Sequence, residues 1–442
     1  MHLDQGIPAA ADAEPTNLPG RATGILAALL VYFGGLAVVS ATNAPHWLAL
    51  ILVLTAASSV WLALAPRSPF ANIRCSKRIE WALVVLTAVL AAWFALPSLV
   101  DPVVRSDQAP SLDCAARSIL QLTNPWDDTE VACMASLSIT TPYMTPLRTG
   151  PFAHQSYPAD SQIIAVEQAD LALHTSAGFP RYGYPPLAAT WILPVARAGL
   201  RYQSWYVDGA TLLLLALMWR RHVRKSPLLA SVQLLTLAIF IYGFNGDAEV
   251  LGYTALIASY LELDHGRTSS IWMAIAILSN PLCWVALPGW VLVWARDPAR
   301  TVRTVWFLAS TLVLLLPWFL LDHSLVTDTW RFVTLPEFPI GFSVAAMTHY
   351  PYPPPLLFFS LFAGAIATIS WVAWHFARVR WAMASVVWVA FLVAWRGNAY
   401  YFLPLFWLSP SILVGWRAMS ETPAPRPPSR HEPLAPTPAG SR

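Results

Sequence analysis

The chain has 442 residues, 56% of them hydrophobic and 12% charged, with 22 tryptophans, a formal net charge of +3 and a mean hydropathy of +0.51. Soluble domains carry about 25% charged residues, so the composition excludes an ordinary soluble protein and points to a polytopic membrane protein. Its cations are nearly all arginine, Lys77 and Lys225 excepted, with no basic stripe interleaved with aromatics and no zinc-like Cys/His spacing. Nucleic acid is therefore excluded as a partner.

Residues 1–20 are polar, with Asp4, Asp12 and Glu14, and lack the cationic start of a signal peptide. They read as a disordered cytoplasmic N-terminus. Apolar segments near 24–41, 46–65 and 81–99 follow, each close to the roughly 20 residues that a helical span needs. The connection between the second and third carries Arg67, Arg74, Lys77 and Arg78, which marks it as cytoplasmic. The long polar loop from Asp101 to about Pro180 then lies outside. Further spans are expected near 204–219, 227–244, 249–263, 304–321, 354–375, 382–396 and 400–416. Basic turns lie at Arg220–Lys225, Arg296–Arg303 and Arg378–Arg380.

Two segments depart from simple spans. The 185–199 segment, bounded by Pro185-Pro186 and Pro194, reads as an interfacial or half-inserted helix on the outer side. Asn280-Pro281 and Pro288-Gly289 divide 270–296 into two short helices, an interruption tolerated at depth only where the backbone is buried or lines a cavity. The expected fold is an all-α bundle of about 12 transmembrane helices over residues 21–416, with both termini inside. Residues 101–200 form its extracytoplasmic portion, and the Pro-rich residues 417–442 form a disordered tail.

Cys114 and Cys133 share the external loop, where an oxidising compartment permits a disulfide or leaves two thiols; Cys75 and Cys283 read as ordinary thiols. Tryptophans at span ends, among them Trp81, Trp219, Trp294, Trp381 and Trp416, fit an interfacial belt. Trp126 and Trp330 lie in outer loops instead and are candidates to stack on a ligand ring. Three carboxylates near the loop's start compete for a chemical role. Asp101 reads as a helix end, Asp113 as an N-cap of the helical stretch Cys114–Leu120, and Asp107 has no evident structural task. All three stand as candidate bases.

The order Asp107, Ala115-Ala116-Arg117, Asn124-Pro125-Trp126 and Tyr184-Pro185-Pro186-Leu187 resembles the GT-C superfamily of membrane glycosyltransferases. It is most similar to glycosyltransferase family 87, the polyprenyl-phosphomannose-dependent α-mannosyltransferases of bacteria. Asn245-Gly246-Asp247, Asn280-Pro281 and Tyr400-Tyr401-Phe402-Leu403-Pro404 extend the likeness over most of the chain. Ser111 stands where that family has an aromatic, and Ser279-Asn280 where it often has Lys before the proline.

The resemblance implies an inverting glycosyltransferase of a bacterial plasma membrane, with its active site on the extracytoplasmic side. Asp107 would be the base. The donor would be a polyprenyl-phosphate carrying mannose or a related hexose or pentose, and the acceptor a glycolipid or cell-envelope glycan. Arg105, His349 and Arg396 would hold the phosphate, Tyr184 would line the substrate cavity, and no cofactor or metal is implied. The alternatives are a transporter or flippase of a lipid-linked intermediate, and a non-catalytic scaffold.

Overall fold

The structure is a computed structural model. It describes residues 17–42, 47–102, 107–125, 158–173, 182–222, 226–243, 246–295, 300–323, 343–347, 355–376, 379–394 and 399–421, with shorter pieces within 133–154 and 325–341, at 297 and at 396–397. Among the described residues the protein is helical apart from one parallel pairing of Ile340–Gly341 with Arg396–Gly397.

Helix α1 (Leu18–Ala41) begins six residues before the expected span at 24, because Asn17 accepts a hydrogen bond from the Gly20 N–H and Pro19 occupies the first turn. It pairs with α2 (Trp47–Leu64). The buried Arg21 donates to the carbonyls of Ala63, Ala65 and Pro66, and so satisfies the end of α2 with a side chain from α1. Asn17 donates to Ala71 and Ile73. The start of α1, the end of α2 and the basic connection thus share one end of the bundle.

Helix α3 (Lys77–Val100), capped by Ser76, carries the chain to the opposite end. There α4 (Gln108–Leu120), α5 (Asp160–Leu173) and the short α6 (Pro186–Ile192) are followed by α7 (Leu200–His222). Trp205 and Arg201 of α7 donate to the carbonyls of Leu99 and Val100, holding the start of α7 to the end of α3. Helices α8 (Pro227–Gly243) and α9 (Glu249–Leu261) are almost wholly buried. Helix α10 (Gly266–Ser279) stops at Asn280, followed by a 3-10 turn at Pro281–Val285 and α11 (Ala286–Trp294), so 270–296 is two helices as expected.

Helices α12 (Arg300–Leu321), α13 (Val344–Met347), α14 (Pro355–His375), α15 (Arg380–Val386) and α16 (Leu403–Glu421) complete the chain. The expected span at 382–396 is not one α-helix: α15 gives way to 3-10 geometry at Val387–Leu392. Its Val/Trp/Phe-rich sequence has weak helix propensity, and the tighter turn packs Val387, Trp388 and Phe391 into the core. Helix α16 starts at Leu403, after a 3-10 turn at Ala399–Phe402, and runs to Glu421.

Among the described residues, four helices, α1, α2, α3 and α12, are long and apolar enough to cross a membrane. Two of them cannot be soluble-protein helices. Val85, Val89, Trp93 and Leu96 of α3 stand exposed, Trp93 at 76%, as do Val305, Leu308, Leu312 and Leu320 of α12. At about 1.5–3 kcal/mol for burying each such side chain, leaving these in water would forfeit as much as the whole stability of a typical domain, about 5–15 kcal/mol. Those faces require lipid, and the chain is a membrane protein.

The polar loop has a core of its own. Cys114 and Cys133 form a disulfide, around which Met134, Phe152, Ile163 and Phe338 are buried. The bridge spans a sequence separation of 19, and closing a loop of that order is worth about 3 kcal/mol. Reduction, or Cys133→Ser, is expected to lower the thermal midpoint by a matching amount; an unchanged midpoint in reductant would contradict a stabilising role.

Candidate functional site

At the end of the bundle remote from Arg21, the chain converges from four directions. Asp107 occupies the N-cap position of α4, and its carbonyl accepts from the Ser111 N–H at 3.0 Å while its side chain makes no capping bond. From the turn between α8 and α9 comes Asp247, wholly buried, with Oδ1 accepting from the Glu249 N–H at 2.9 Å. Its Oδ2 has no partner among the described residues. Asp107 lies close enough for its charge to act on Asp247, and the Gln108 amide interacts with the Glu249 carboxylate.

Asn280, at the break after α10, donates to the Glu249 carbonyl at 3.4 Å and accepts from the Leu282 N–H at 2.8 Å. Gly252 of α9 makes this approach possible, since a Cβ there would lie 2.7 Å from the Asn280 Cβ. Trp191 of α6 donates to Ser279 Oγ at 2.8 Å, fastening the segment after Tyr184 to the same break. Tyr253, one turn beyond Glu249, lies within electrostatic range of Glu249 and Tyr401. Four pieces separated in sequence (Asp107, Gly246-Asp247, Asn280-Pro281 and Tyr401) thus meet at one place.

Asp113 belongs elsewhere. It lies mid-helix in α4 rather than at its N-cap, because the helix begins five residues earlier, at Gln108. Fully buried, it pairs with Arg117 at 2.7 Å and accepts from the Arg197 N–H at 3.3 Å. Arg197 has a left-handed backbone, φ +74°, a conformation that costs a non-glycine residue about 1 kcal/mol or more. Asp113 steadies that turn between α6 and α7. Asp101 is the C-cap of α3 and exposed, as a helix end should be.

Tyr184 is half-buried, its ring 5.8 Å from that of Tyr182, whose hydroxyl donates to Pro185. Arg396 lies in the short parallel pairing, and its side chain is outside the described residues. Arg105, His349, Trp126, Trp330 and Asn245 are also outside the described residues. Sequence reading passed over Glu249, Gln108 and Gln203. Their only signal was a polar residue at the margin of an apolar run, easily taken for a span boundary.

Sequence reading also passed over Asp208, within α7. It is fully buried, and neither carboxylate oxygen has a partner among the described residues; the Oγ1 of Thr211, one turn on, is equally alone. At the opposite end of the molecule, Glu262, Asp264 and His265 bring ligand atoms within 4.8 Å of one another, with His265 Nδ1 bonded to Asp264.

The electrostatics of the convergence are dominated by Asp247. Burial pushes its carboxyl well above the ordinary carboxylate range, and the charges of Glu249 and then Asp107 add to this, while the Glu249 N–H opposes it. A carboxyl raised on folding binds its proton more tightly in the folded state. Its contribution is fully present below the ordinary value of about 4 and is lost as pH rises through the folded value. Asp247→Asn keeps an oxygen for the Glu249 N–H and removes that titration. The variant should melt above the wild type at pH 8, with the difference closing toward pH 4. A gap that does not vary with pH would contradict this.

No family model, curated protein or solved structure matches the chain.

Proposed function

We propose that the protein is an integral-membrane glycosyltransferase of GT-C type, with about 12 spans, working on the extracytoplasmic face of a bacterial plasma membrane. The observation that carries this reading is the meeting of Asp107, which follows the end of an apolar helix, with Asp247, Glu249 and Asn280. Asp107, Asp247 and Asn280 lie in segments that carry the resemblance to glycosyltransferase family 87, and Glu249 joins them there.

A polyprenyl-phosphate sugar keeps its lipid in the bilayer and its phosphate at the surface. Asp107 accepts the proton of the acceptor hydroxyl as that oxygen bonds to the anomeric carbon. The bond from that carbon to the phosphate oxygen breaks on the opposite side, inverting the centre, and the polyprenyl phosphate departs with the electron pair. The charge on the leaving phosphate requires cations, a role assigned to Arg105, His349 and Arg396. Tyr184 borders the sugar. Mannose or a related hexose or pentose is the transferred group, and a glycolipid or envelope glycan the acceptor. The chemistry calls on no cofactor.

Asp208 favours a second reading. In the expected span near 204–219, a buried carboxyl without a hydrogen-bond partner among the described residues is a common mark of proton- or ion-coupled transport, as a transporter or flippase of a lipid-linked intermediate would need. Proteoliposomes holding a labelled donor separate the two. Transfer yields a new labelled glycolipid, whereas transport moves the donor between leaflets chemically unchanged.

A further inference from the structure

Asp107 can serve as a base only if something fixes it relative to the turn that carries Asp247, and the two lie on segments far apart in sequence. Beside the Gln108 contact with Glu249, a buried side chain of a third helix joins them. Gln203 of α7 is fully inaccessible, and its Nε2 donates to two backbone carbonyls, that of Ala109 at 2.8 Å and that of Gly246 at 3.0 Å. Because both partners are carbonyl oxygens, only the NH2 end of the amide can face them, so its orientation is fixed by chemistry. Its Oε1 has no partner among the described residues.

The Ala109 carbonyl lies in the first turn of α4, two residues after Asp107. The Gly246 carbonyl immediately precedes Asp247. Gly246 has φ +79°, and a Cβ there would lie 2.4 Å from Ser204 Oγ, so glycine lets this turn press directly on α7.

We propose that Gln203 is a positioning residue for Asp107: a two-pronged clamp that sets the distance and orientation of the base against the Asp247–Glu249 turn. The inference rests on the glycosyltransferase reading for its consequence in catalysis, though not for the clamp itself. A glutamine whose two donor hydrogens each meet a carbonyl of a different segment holds both segments to α7. Without it, the Ala109 and Gly246 carbonyls each lose a side-chain donor, Ala109 keeping only its helical bond, and the hold of α7 on the start of α4 is released. Displacement of a catalytic group by about 1 Å costs on the order of 10²-fold in rate, with little change in ground-state binding.

Gln203→Met, close in volume and without a donor, tests this in two independent ways. The first is hydrogen exchange of the purified full-length protein in detergent. The Ser111 N–H, bonded to the Asp107 carbonyl, and the Glu249 N–H, bonded to Asp247, should exchange at least about 10-fold faster, a local opening of about 1.4 kcal/mol. Amides of α8 should keep their protection. Unchanged exchange at both sites overturns the clamp. So does a uniform loss of protection, which would make Gln203 an ordinary core residue.

The second readout is transfer. kcat should fall by about 10- to 100-fold with the KM for the polyprenyl-phosphate donor within about threefold. A folded variant with wild-type kcat overturns the positioning role, as does one whose loss lies in KM alone. If the wild type transfers no sugar, the glycosyltransferase reading fails on that result, and the exchange experiment still decides the clamp.

Discussion

Asp107→Asn is expected to abolish sugar transfer while leaving the protein folded. The loss should be about 10²–10⁴-fold in kcat, the range removed with a general base. Stability should change little, because asparagine matches aspartate closely in size and suits an N-cap as well as aspartate does. Initial rates at saturating donor, beside the thermal midpoint, check both halves. Retained turnover in a folded Asp107→Asn protein would move the base to another carboxylate, and Asp247 and Glu249 would be next in line by position.

Asp113→Ala should give the opposite pattern, a large loss of stability with no specific loss of chemistry. The substitution strips the ion-pair partner from Arg117 and the acceptor from the left-handed Arg197. Removing one member of a buried pair costs about 3–5 kcal/mol. The lower end applies here, since Arg117 keeps 26% of its side chain in solvent. Asp113→Asn, which preserves an oxygen for Arg197, should fall between. Urea or thermal denaturation in detergent measures the order wild type, Asn, Ala. A folded Asp113→Ala protein with normal stability but no transfer would reverse the roles given to Asp107 and Asp113.

These two aspartates show what the sequence could and could not disclose. Both sit near the start of one loop, and only the register of α4 separates them. A helix starting at Gln108 makes Asp107 its N-cap and turns Asp113 inward, whereas one starting at Cys114 would have done the reverse. Local sequence does not set that register. The burial of Ala109, Leu112 and Ala116 does, and it depends on α6, which packs from some 70 residues away. The division of 270–296 was legible because Asn280-Pro281 cannot continue a helix. The 3-10 stretch at Val387–Leu392 was not, because apolar β-branched and aromatic runs fit several tightly packed geometries. Glu249 and Gln203 escaped notice for a related reason: their task is to meet backbone or side chains distant in sequence, and no spacing encodes a partner that far off.

The most direct test is transfer from a panel of radiolabelled polyprenyl-phosphate sugars, with purified protein, a host lipid extract as acceptor, and Asp107→Asn in parallel. Labelled glycolipid from the wild type and none from the variant is the predicted result, and the productive donor identifies the sugar. No product with any donor, from wild-type protein shown to be folded, would contradict the glycosyltransferase assignment and turn attention to Asp208 and transport.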